Sequence, residues 1–126
     1  MQRFKNILLV HEGGARGKKA RSRALDLATR NLARITLLEV AEPLPTASAT
    51  YQAPDGEINL QSLVAQERET ALAKVAQEMA GAGLSVTSKV AFGNPFLDIM
   101  REVHEGKHDL VLLTTEGDGG VRDHLF

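Results

Sequence analysis

Three short apolar runs constrain this chain most: Ile7-Leu8-Leu9-Val10, Ile35-Thr36-Leu37-Leu38-Glu39-Val40 and Leu110-Val111-Leu112-Leu113. Runs of this length, bounded by turn residues, read as strands covered on both faces, the pattern of a parallel sheet. Helical patterns lie between them. From about Lys18 to Ala33, Ala24, Leu25, Ala28 and Leu32 fall on one face, which predicts an amphipathic helix. Leu60 to Ala80 predicts the longest helix, with Leu60, Leu63, Val64, Ala71, Leu72, Val75, Ala76 and Met79 as its apolar stripe and Gly81 and Gly83 as its stop. Val86 to Phe92 alternates apolar with polar, as an edge strand does. Asn94-Pro95 is a cap followed by proline at the first helical position. The helix it opens carries Phe96, Ile99, Met100 and Val103 inward and stops at Gly106. Asp109 then leads into the last apolar run.

The resulting order alternates strand and helix, and right-handed crossovers turn it into an α/β fold, a doubly wound parallel sheet with helices on both faces. One connection is unusual. Residues 41–59 are rich in Pro, Gly, Ser and Thr, with Pro43, Pro45, Pro54 and an Asp55-Gly56 turn signal. A stretch that long inside a compact domain is either a lid or poorly ordered.

Composition narrows the partners. Among 126 residues, 15 are basic and 16 acidic, for a net charge of −1, which argues against a nucleic-acid groove or an anionic membrane surface. Cysteine is absent, so disulfides, thiolate metal sites and a Cys nucleophile are excluded. No stretch approaches the ~20 apolar residues of a membrane span, and the N-terminal apolar run is too short for a secretion signal. A single cytoplasmic domain is the expectation.

In such sheets ligands bind beyond the carboxyl ends of the strands, where strand order reverses. The segments placed there are His11 to Lys18, Val40 onward, and Thr114 to Gly120. Several familiar motifs fail on inspection. Gly13 to Lys19 mimics a phosphate-binding P-loop but is one residue short, and Lys19 stands where a Ser or Thr hydroxyl would reach Mg²⁺. The first strand is not followed by Gly-x-Gly-x-x-Gly, the third does not end in a phospho-acceptor Asp, and no Gly-x-Ser-x-Gly elbow occurs. His11 is the only histidine at a strand's carboxyl end; His104, His108 and His124 read as surface or loop residues. No two histidines sit at metal-ligand spacing with a carboxylate, so no metal site is assigned. Asp118, Asp123 and His124 could be drawn as an acid-base set, but nothing in the sequence orders them.

Lys5 to Gly14, the helix segment Arg23-Ala24-Leu25-Asp26-Leu27-Ala28, Ala33 to Val40, Gly93-Asn94-Pro95 and Asp109 to Leu113, taken in this order, resemble the universal stress protein (UspA-like) family across the whole chain. The resemblance implies an adenine-nucleotide α-hydrolase-like sheet with strand order 3-2-1-4-5. It also implies ATP or AMP at the carboxyl ends of strands 1 and 4, and no catalysis beyond very slow ATP hydrolysis. Nucleotide-binding members carry Gly-x-x-Gly, a nine-residue spacer, then Gly with Ser or Thr. Here Thr114-Thr115-Glu116-Gly117 stands at the first element and the sequence stops where the second would follow, so the fifth strand is expected to be missing. The candidate nucleotide-binding residues implied are Val10, Glu12, Gly13, Val40, Thr114, Gly117 and Gly120. Val10 and Val40 would contact the adenine, and Gly117 would give backbone N–H groups to phosphate. Glu12 stands for the family's turn Asp, and Thr114 puts a Cβ where the family has glycine.

Plainer readings stand beside these. Glu12 is either a solvated turn residue or a ribose contact, and Gly13-Gly14 is either a tight turn or a phosphate nest. Arg16, Lys18, Lys19, Arg21 and Arg23 are either a solvated face or a neighbour of an anion, since cations at a helix start oppose the helix dipole. A non-nucleotide-binding dimerisation or interaction module is the alternative function. An adenylyl-transfer enzyme would need hydroxyls that His11 to Arg16 lack. Without a fifth strand, Leu110 to Leu113 would be a bare sheet edge. It is expected either to pair with a second copy, giving a homo-oligomer, or to be covered by Val121 to Phe126.

Overall fold

The computed structural model describes residues 4–45, 50–81, 83–114 and the backbone of 121–125. In chain order the elements are β1 (Asn6–Val10), α1 (Gly14–Asn31), β2 (Arg34–Ala41), β3 (Thr50–Ala53), β4 (Gly56–Asn59) and α2 (Leu60–Ala80). These are followed by β5 (Val86–Phe92), α3 (Pro95–Gly106), β6 (Leu110–Thr114) and β7 (Val121–Leu125). The main sheet runs β5-β2-β1-β6-β7; its first four strands are parallel, the 3-2-1-4 order expected.

Alternation along each strand sorts the core into two layers. Ile7, Leu9, Ile35, Leu37, Leu110 and Leu112 meet α1 and α2, which present Ala20, Ala24 and Ala28 and then Leu72, Ala76 and Met79. Alanines at these positions let α1 lie close to the sheet. On the opposite face Leu8, Leu38 and Val111 pack with Val103 of α3, flanked by Val10, Val40, Ala91, Ile99 and Leu113. Asparagines start two of the helices: the Asn59 carboxamide accepts from Ser62 N at 3.1 Å, and that of Asn94 from Leu97 N at 3.2 Å, with Pro95 just inside the helix.

The first strand is fastened from far along the chain. The Asp109 carboxylate accepts from Lys5 N at 2.9 Å and Asn6 N at 3.1 Å. Asn6 Nδ2 in turn donates to the carbonyls of Gly106 at 2.6 Å and Lys107 at 3.2 Å, the free carbonyls at the end of α3.

Several sequence expectations change. Residues 50–59 form an antiparallel hairpin, Ala53 paired with Gly56, rather than a loop without structure. Leu32 is 74% exposed, because it occupies the left-handed cap after α1 (φ 53°) and its side chain turns outward. The stripe on α2 is buried only in its second half: Leu63 and Ala71 are exposed, Leu72, Ala76 and Met79 buried. On α3, Ile99 and Val103 point inward as expected, but Phe96 is 71% exposed and Met100 is exposed. His108 is buried, not a surface residue. The fifth position in the sheet is not missing: β7 occupies it, antiparallel to β6, with Thr114 opposite Val121 and Leu110 opposite Leu125. Of the two outcomes expected for the edge at Leu110 to Leu113, the structure shows the second: it is covered by this chain's own residues 121–125.

Candidate functional site

The carboxyl ends of β1, β2 and β6 meet at one end of the sheet, and most of the sequence-predicted site residues gather there. Val10 and Val40 sit on the α3 face of adjacent strands, both half-buried, beside Ala91 and Leu113. They form an apolar shelf open toward solvent. The ladder between β1 and β2 continues one residue further, His11 N donating to the Leu38 carbonyl at 2.7 Å. Alternation turns the His11 side chain to the other face, where Nδ1 has no hydrogen-bond partner. Burial pushes the imidazole pKa below its ordinary 6.5, Glu39 opposes this, and Arg21 adds to it. Glu39 is itself paired with Arg68 of α2 at 3.6 Å.

Glu12 is held at its backbone and used at its side chain. Its carbonyl accepts from Arg21 Nη1 at 3.5 Å and lies against Gly17 of α1, where any Cβ would fall on the carbonyl oxygen. Its exposed carboxylate accepts a hydrogen bond from the Thr114 hydroxyl, tying the end of β1 to the end of β6. Gly13 has extended backbone, whereas Gly14 opens α1 at φ +76°, a conformation that favours glycine. Helix α1 starts without a side-chain cap or an acidic residue in its first turn. Its first N–H groups therefore lack side-chain partners from this helix start, and Arg16 and Lys18 follow directly.

Val10, Glu12, Gly13, Val40 and Thr114 are thus brought to one mouth. Gly117 and Gly120 lie outside the described residues, as do Thr115, Glu116 and Asp118. Among the described residues no three His, Cys, Asp or Glu side chains come together as metal ligands. No helix among them is long and apolar enough to cross a membrane. The arrangement offers binding groups: an apolar shelf, a carboxylate with a hydroxyl, and backbone donors at a helix start.

Sequence reasoning missed a second polar group away from this mouth. His108 Nε2 lies 2.9 Å from Glu102 Oε2, and Lys89 Nζ donates to Glu102 Oε1 at 3.0 Å. Burial alone would raise the Glu102 pKa, but the hydrogen bonds from His108 and Lys89, with the charge on Lys89, outweigh it and hold the carboxyl below its ordinary 4.5. The signal was present: Glu102 shares the inward stripe of α3 with Ile99 and Val103, a place where a carboxylate needs a partner.

A doubly wound α/β domain with its open mouth at the carboxyl ends of the first and fourth parallel strands defines the class. The universal stress protein family model matches residues 3–126, so the chain belongs to that family. Solved structures agree in fold. UspA from Lactobacillus plantarum is 21% identical with a TM-score of 0.65, over 92% of this chain and 81% of that one. A universal stress protein solved in complex with cAMP is 16% identical (TM-score 0.64), over 93% and 77% of the two chains. A universal stress family protein from Arabidopsis thaliana, solved with AMP bound, is 15% identical (TM-score 0.63), over 91% and 79%. No curated protein matches the chain.

Proposed function

We propose that this domain is a cytoplasmic adenine-nucleotide-binding module, taking AMP or ATP at the carboxyl ends of β1 and β6, and that it signals by occupancy rather than by turnover. The observation that carries this is the Val10–Val40 shelf opening beside an uncapped helix start. An adenine ring stacks on apolar side chains, while a phosphate suits free backbone N–H groups at a positive helix end. Glu12 is placed to accept from ribose hydroxyls once the Thr114 hydroxyl lets go of it. Gly13 allows close approach of backbone to ligand, and Gly117 and Gly120 would complete the phosphate contacts. The solved relatives with AMP and cAMP support the choice of ligand class. On this reading any ATP hydrolysis is slow, occupancy and not turnover being the signal.

Titration calorimetry of the full chain with AMP, ATP and cAMP tests the reading. Saturable heat is expected, lost in Val40→Glu and weakened in Glu12→Gln. A ligand at a hundredfold its Kd would also stabilise the fold by about 2.7 kcal/mol. No heat and no rise in melting temperature at millimolar nucleotide would reject it. The Glu12–Thr114 hydrogen bond favours a second reading, in which the two side chains satisfy each other and the domain is an interaction module without nucleotide.

A further inference from the structure

The α3-side face of the sheet changes character from one end to the other. Toward the carboxyl ends it is apolar, with Val10, Leu38, Val40 and Ala91. Toward the amino ends of β2 and β5 it is polar. Register places Asn6 beside Arg34 and Thr36 beside Thr87, with Lys89 next along β5, all on the face that carries Leu8 and Leu38. A sheet face under a helix normally buries apolar side chains. Here α3 instead lowers Glu102 onto it, and a groove of about 290 Å³ remains between them. Asn6, Arg34, Thr36, Ser85, Thr87 and Lys89 line it from the sheet side; Glu102, Gly106 and His108 close it.

Two features of this groove suit a ligand. The Arg34 guanidinium has no ion-pair partner among the described residues, although it stands at the groove. Thr36 and Thr87 hydroxyls face one another at 3.4 Å, with Ser85 alongside, so hydroxyl donors gather on the floor. Glu102 offsets Lys89, so Arg34 leaves the lining with a net positive charge. A guanidinium fork with several hydroxyl donors suits a tetrahedral oxyanion, and the volume leaves room for a short hydroxylated stem.

We propose that this polar corner is a second binding site, for a small phosphate monoester, at the opposite end of the strands from the nucleotide mouth. Along β1 the two are separated by about 13 Å, taking ~3.3 Å per residue. The site does not depend on whether the mouth takes nucleotide.

Amide NMR titration of the full chain with inorganic phosphate, glycerol 3-phosphate, glycerol and acetate tests it. Both phosphates should shift the amides of residues 34–36, 85–89 and 106–108 saturably, the monoester at the lower concentration, while glycerol alone shifts none. Arg34→Gln and Thr87→Val should each weaken the response at least tenfold; because Arg34 is exposed, its variant stands even where Thr87→Val fails to fold. Glu12→Gln should leave the response unchanged, which separates this site from the mouth. The proposal is overturned if phosphate leaves those amides unmoved, if Arg34→Gln responds like the parent, or if acetate matches phosphate.

Discussion

At the scale of single residues, steric contact outranks local preference. Gly17 sits inside α1, where glycine costs a helix about 1 kcal/mol relative to alanine. Propensity alone would have Gly17→Ala stabilise the protein. The Glu12 carbonyl occupies the space a methyl group would need, and backbone on both sides cannot yield cheaply. The expected outcome is the reverse: Gly17→Ala destabilises by about 3 kcal/mol, seen as a lower urea midpoint; an unchanged or higher midpoint would show that the helix can move. None of this was legible in the sequence, where Gly17 looked like part of a failed phosphate loop. The place of Val10 and Val40 near the carboxyl ends of their strands was legible, because each closes an apolar run of its strand. His108 was not, since burial of an imidazole depends on a carboxylate that only the fold brings to it.

At the scale of elements, what could be read was whatever periodicity and caps specify. Asn94-Pro95 fixed the start of α3, and Gly81 the end of α2, because those signals act over a few residues. The stripes on α2 and α3 were readable as helices but not as burial. Apolar spacing marks a helix whether or not a surface covers it, as the exposed Leu63 and Phe96 show. The hairpin of β3 and β4 escaped notice because a Pro/Gly-rich composition is shared by loops and tight turns. Strand β7 carries the testable consequence. It supplies the last partner to β6, so deleting residues 121–126 should leave Leu110 to Thr114 as an apolar edge. Light scattering should then show association at concentrations where the full chain keeps its mass. A truncated chain that stays at its parent's assembly state would mean that the edge needs no cover.

For the whole molecule, the sheet order followed from the alternation of strands and helices, since right-handed crossovers leave few alternatives. Among the described residues two groups have shifted pKa values, and both act in the same direction on the response to acid. Between its lowered folded pKa and its ordinary 6.5, His11 takes up a proton only when unfolded, so acidification through that range favours unfolding. Glu102, held below 4.5 in the fold, repeats the effect lower down. Stability is therefore full above about pH 6.5 and falls in two steps as pH drops, the first setting in below 6.5 and the second below 4.5. Urea midpoints across that range should show it, with the upper step absent in His11→Gln; a flat profile would refute it.

The fastening of β1 by Asp109 also bears on how the chain is made. The central strand leaves the ribosome well before its fastening: the carboxylate that grips Lys5 and Asn6, and the strand that fills its second side, arrive about a hundred residues later. During synthesis the most apolar segment of the protein waits half-clothed, and the nascent chain depends on whatever shelters Ile7 to Val10 until β6 is translated.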